Sequence, residues 1–198
     1  MSNRRPSAYP VIFQLFASRT AGATIDALYG AIVAQARRPS FYLAFGVPDT
    51  AEGRFEMIAL HLALLCRRLG RAGESARSLS QGVFDMFCTD MDHNLREMGV
   101  SDLRVPKTMR KLGEAFYGRL DAYDRALAAD GDDALAAALA RNALDGASAA
   151  AARFAGPLAG YVRAAARGLD AAPIAQFQDG QVGFPDPDAV AAAKEAEA

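Results

Sequence analysis

Residues 84–127 constrain the fold of this chain more than any other stretch, because two apolar seams of helical period flank a turn suited to reversing the chain. Phe84, Phe87, Met91, Leu95 and Met98 recur at three- and four-residue spacing, which places them on one stripe of a helix. Gly99 suits the left-handed residue that closes a helix, Val100 offers the apolar contact beyond the cap, and Pro106 fits the first turn of the next helix. Met109, Leu112, Phe116, Leu120, Tyr123 and Leu127 form the second seam. A connection this short makes the two helices antiparallel neighbours with their seams facing.

Strand signals are almost absent elsewhere, so the chain reads as all-α: a single-domain irregular helical bundle. Its centre is a helix over about residues 52–69, and the long antiparallel hairpin spans about 74–129. The row Phe55, Ile58, Leu62, Leu65 and Leu69 is backed by Met57, Leu60 and Leu64, so the central helix is apolar nearly all round and must be buried on most sides. Further helices are expected over 24–38, 132–144 and 147–169, the last kinked or broken at Gly156 and Pro157. After them a helical turn leads into an extended strap ending at Phe184 and Pro185. The organisation is an N-terminal segment (1–21), a helical domain (22–186) and a polar tail (187–198) expected to fray. The longest apolar run, 57–66, is shorter than the ~20 residues that cross a bilayer.

Composition excludes some functions. A net charge of −1 and a pI near 6.1 argue against DNA binding by bulk electrostatics, which needs a surplus of Lys and Arg. Basic residues nevertheless gather early and centrally, at Arg37, Arg38, Arg67, Arg68, Arg71, Lys107, Arg110 and Lys111, whereas Asp186, Asp188, Glu195 and Glu197 lie late. Cys66 and Cys88 lack the spacing of a zinc site or disulfide framework, which fits a reducing, cytoplasmic setting. Arg4 and Arg5 precede an apolar run as in a secretory signal, but Pro10 and Gln14 interrupt it and no cleavage site follows, so the segment reads as retained. It would either dock on the domain or lie on a membrane.

No catalytic constellation can be assembled, so the chain reads as a non-enzyme without catalytic residues or cofactor. His61, inside MIALHLALLC, is either a haem or metal ligand or a neutral core histidine bonded to a neighbouring helix. Asp90 and His93 share a helix face, as in carboxylate-bridged metal sites, but a second such unit is lacking. Asp90 borders the first seam and Arg119 the second, so the two are expected to form an ion pair that sets the hairpin's register. The aromatic loop carrying Phe41, Tyr42 and Phe45 either anchors a partner or plugs its own core.

The stretches GVPDT, GRFEMIALH, LREMGVSDL and VPKTMRKLGEAFYGR, with the late QVGFPDP, resemble the ubiquinol-cytochrome c chaperone family over roughly residues 22–187. The chain looks like the alphaproteobacterial members, since it lacks the long N-terminal targeting extension of mitochondrial forms. That resemblance implies an assembly factor for the cytochrome bc1 complex that binds newly made cytochrome b or an assembly intermediate. A small partner protein, the ribosomal exit and the membrane surface are the further contacts it implies. The family supplies no catalytic motif, and the surface first expected to meet a partner is the basic face of Arg104, Lys107, Arg110 and Lys111.

Overall fold

The computed structural model describes residues 10–146 and 148–195. Among them the order is α1 (Pro10–Ala36), α2 (Ser40–Leu43), α3 (Ala51–Gly70), α4 (Glu74–Glu97), α5 (Val105–Ala128), α6 (Asp133–Asn142), α7 (Ala149–Ala171), α8 (Ile174–Gln178) and α9 (Pro187–Glu195). The bundle is all-α, with α3 at its centre, packed on by α1, α4, α5 and α7. From Glu56 to Cys66 every residue of α3 is buried, as a helix without a polar face requires. α6 lies across α5 and α7, and its Leu135, Ala138 and Leu139 face inward.

Local chemistry explains the start of α3. Thr50 is extended and its hydroxyl accepts from the Gly53 N–H at 3.1 Å, while Glu52 stands at the positive end of the helix. A side chain at Gly53 would put its Cβ 2.0 Å from the Pro48 carbonyl oxygen, so the GVPDT turn closes only on a glycine there. Gly46 has φ +68° and lies flat against the Phe154 ring, which a Cβ would enter at 2.2 Å. At the other end, Arg67 binds Asp124 of α5 and Asp170 of α7, and Arg68 donates to the Leu169 and Ala172 carbonyls that end α7. Arg67 and Arg68 of the basic group thus tie α3 to its neighbours.

The hairpin closes as its turn chemistry demands. Gly99 has φ +81°, its N–H bonds to the Arg96 carbonyl, and the Val100 N–H bonds to Leu95, each at 3.0 Å. This is the paired 6→1 and 5→2 bonding of a helix that ends on a left-handed glycine. α8 ends in the same way at Gly180, after which residues 181–186, where the strap is expected, form neither helix nor strand.

Three expectations need correction. α7 continues through Gly156 and Pro157 as one helix, because Leu158, Tyr161, Val162 and Ala165 beyond the proline bury the same stripe as Ala151 and Ala155 before it. The tail does not fray from residue 187: it forms α9, with Val190 and Ala191 against the core and Asp186 and Asp188 both bound to Arg38, at 2.6 and 2.8 Å. The first helix starts at Pro10 rather than near residue 24. Of the N-terminal segment (1–21), expected either to dock on the domain or to lie on a membrane, residues 1–9 lie outside the described residues.

Candidate functional site

The two hairpin seams do not close along their full length. At the inner end Phe84 stacks on Phe116 with centroids 4.9 Å apart, and Phe87 meets Phe116 at 5.9 Å and Phe55 of α3 at 5.8 Å. Toward the turn, the outer halves of α4 and α5 separate over the start of α3 and leave an apolar groove of about 740 Å³. Phe55, Ile58, Met91, Leu95 and Leu112 form its walls, and Met98, 71% exposed, stands at its mouth. The cause is side-chain size: Ala51 on α3 and Ala115 on α5 line this space and are too short to fill it.

Charged groups surround the groove. Arg119 donates from Nε to Glu56 Oε2 at 2.7 Å and from Nη2 to Oε1, a two-pronged pair that bridges α5 and α3 beneath one wall. Burial pushes the Glu56 carboxyl up, and the Arg119 guanidinium partly offsets that. Arg54 is held by Asp49 at 2.7 Å and lies over the Tyr42 ring. Arg37 and Lys111 also line the groove, opposed by Glu52. With Arg119 paired to Glu56 and Arg54 to Asp49, Arg37 and Lys111 against Glu52 leave one positive charge in excess.

The expected ion pair between Asp90 and Arg119 is not formed. Asp90 instead accepts from the Tyr29 hydroxyl of α1 at 2.6 Å and from Asn94 at 3.2 Å, and burial together with that bond raises the Tyr29 pKa. The reason is that α4 turns this edge to α1, while α5 turns Arg119 to α3. Glu56 went unrecognised in the sequence; its signal was a lone carboxylate inside a helix otherwise apolar all round, a position that calls for a buried cation.

His61 is fully buried among Phe41, Tyr161 and Phe184, with ring centroids 5.4, 5.8 and 4.9 Å away. Its Nδ1–H donates to the Met57 carbonyl at 2.7 Å, which fixes the tautomer; Nε2 then accepts from the Tyr161 hydroxyl at 2.8 Å. Tyr161 in turn accepts from Gln35, whose amide also reaches the Pro185 carbonyl of the strap. Both imidazole nitrogens are therefore engaged, and burial lowers the pKa to about 4. His93 is exposed and pairs with Glu97 at 3.1 Å. Among the described residues no group of three His, Cys, Asp or Glu side chains could hold a metal ion.

The aromatic loop turns inward, which sets aside its role as a partner anchor. Phe41 and Phe45 are buried, 4.9 and 6.0 Å from Tyr161, and the Tyr42 hydroxyl donates to the Ala36 carbonyl at the end of α1. The basic residues Arg104, Lys107, Arg110 and Lys111 stand exposed on the first turns of α5 and just before it, with Lys111 reaching the groove.

A family model described as ubiquinol-cytochrome C chaperone matches residues 43–184, which include every groove residue except Arg37. The chain is 27% identical to ubiquinol-cytochrome-c reductase complex assembly factor 1 of Xenopus laevis over 118 residues, 60% of this chain and 58% of that protein. It is 28% identical to the Homo sapiens assembly factor 1 over 58% of this chain and 38% of that protein. The chain thus spans between about two fifths and three fifths of the length of these curated relatives. The crystal structure of the Cbp3 homolog from Brucella abortus is 39% identical and superposes with a TM-score of 0.81, covering 90% of this chain and 98% of that one.

Proposed function

The chain belongs to the ubiquinol-cytochrome c chaperone family, and from that premise we propose that it is a non-enzymatic assembly factor for the ubiquinol-cytochrome c reductase complex. Its client in this reading is newly made cytochrome b or an assembly intermediate that contains it. The observation that carries the reading is the open apolar groove between α3, α4 and α5. A membrane subunit awaiting assembly exposes apolar helix faces, and a groove with an apolar floor and a charged rim can cover one of them reversibly. Such a site needs no reacting group, and the buried Glu56 carboxylate beside it is bound by Arg119.

Complementation of a deletion strain tests this. Without the protein, assembled ubiquinol-cytochrome c reductase should be lost while other membrane complexes persist. Ala115→Leu fills the groove from within without adding charge, and is expected to restore a folded protein but little assembled complex. Leu43→Ser, at a side chain 83% exposed and outside the groove, should complement fully. Full complementation by Ala115→Leu would remove the groove from the function, and a normal level of complex in the deletion strain would remove the function itself.

A further inference from the structure

The turn that joins α4 to α5 carries a leucine where soluble turns carry polar groups. Leu103 is 94% exposed, although its neighbours are well anchored: Val105 is buried, Val100 is half-buried, and the Arg104 and Val105 N–H groups bond to the Ser101 carbonyl at 2.8 and 3.1 Å. The turn is ordered around the leucine rather than by it. Met98, the other exposed apolar residue of this end, stands at the same tip.

The acids around that apex, Asp92, Glu97, Asp102 and Glu114, each have a partner, whereas several of its cations have none among the described residues. Residues 103–111 contain Arg104, Lys107, Arg110 and Lys111 and no acid. At about 100° per residue these four fall within about 120° of one helix face. Among the acids near the turn, Asp92 and Asp102 are both bound by Arg96, Glu97 pairs with His93 at 3.1 Å, and Glu114 approaches Arg110 at 3.8 Å. Arg104, Lys107 and Lys111 make no ion pair among the described residues. An exposed apolar apex beside a helix face with three unpaired cations matches the layered chemistry of an anionic bilayer, with phosphates outside and hydrocarbon beneath.

We propose that the α4–α5 tip is a membrane-docking site, with Leu103 and Met98 entering the headgroup boundary and the four basic residues meeting anionic phospholipid. Because Met98 and Lys111 also line the groove, docking would open the groove's mouth at the bilayer surface. The proposal does not depend on the assembly reading, since binding to lipid requires no client. A polyanion such as RNA would be read by the cations alone and would leave Leu103 idle.

Co-sedimentation of the full chain with phosphatidylcholine–phosphatidylglycerol vesicles, against phosphatidylcholine alone, is the test. Binding should require the anionic lipid and weaken with salt. Replacing Arg104, Lys107, Arg110 and Lys111 together by Gln should weaken it at least about a hundredfold, given roughly five-fold per basic residue. Leu103→Ser should weaken it about tenfold without moving the thermal unfolding transition, since that side chain is already in water. Equal binding to both vesicles would overturn the proposal, as would an unaltered affinity for Leu103→Ser, binding lost only when Arg4 and Arg5 are replaced, or co-sedimentation with RNA but with neither vesicle.

Discussion

At the scale of single residues, His61 shows how a titratable group becomes part of a core. Both ring nitrogens are bonded and three aromatic rings enclose it, so burial holds the imidazole neutral down to about 4 against an ordinary 6.5. The unfolded chain binds that proton below about 6.5 and the folded chain does not, so unfolding takes up a proton between those values. Stability from this residue is complete above pH 6.5 and declines as pH falls toward 4, by about 3 kcal/mol in all. Urea denaturation at a series of pH values should show that decline, and His61→Leu should flatten it. A wild-type profile already level across the window would mean that the residue is not held neutral. The apolar run around His61 declares its burial in the sequence, but its partner Tyr161 lies 100 residues away, and no local pattern points to it.

At the scale of elements, the stretches that carry the family resemblance are explained by turn geometry. Gly46 needs its left-handed φ and its bare face against Phe154, Thr50 caps α3, and Gly53 leaves room for the Pro48 carbonyl. Gly53→Ala sets a Cβ against backbone that cannot step aside, and should cost about 2–4 kcal/mol of stability in chemical denaturation. Gly82→Ala is the contrast. There the Cβ meets only the Ile25 side chain, Cδ1 at 2.4 Å and Cγ1 at 3.0 Å, which can turn aside, so the loss should be much smaller. Equal losses for the two would refute the packing account of Gly53. Helix ends were legible for the same local reason: Gly99 and Pro106 marked the hairpin turn, and α4 and α5 begin and end within a residue of the expected bounds. Pro157 misled because a proline forfeits one backbone bond, whereas the apolar stripe on both sides of it is buried as a unit.

At the scale of the whole molecule, the C-terminal helix closes on the junction of α1 and α2. α9 rests on α2 and α7, and Asp186 and Asp188 hold Arg38, while Asp188 also accepts from Ser40. A chain ending at Pro185 should still unfold cooperatively, but backbone amides of residues 38–45 should exchange with solvent faster than in the full chain. Unchanged exchange there would show that α9 covers nothing. This clasp accounts for part of the uneven charge of the sequence: Arg38, early in the chain, meets Asp186 and Asp188, late in it. By itself the sequence determined what depends on neighbours within a few residues: helical periodicity, the glycine and proline boundaries, the all-round burial of α3, and a family resemblance carried by turns. Only the tertiary structure decided which charged group meets which and where the seams part. Arg119 turns to Glu56 rather than Asp90, and the groove opens at Ala51 and Ala115, because side-chain pairing and unfilled volume depend on the relative placement of three helices, which no single segment encodes.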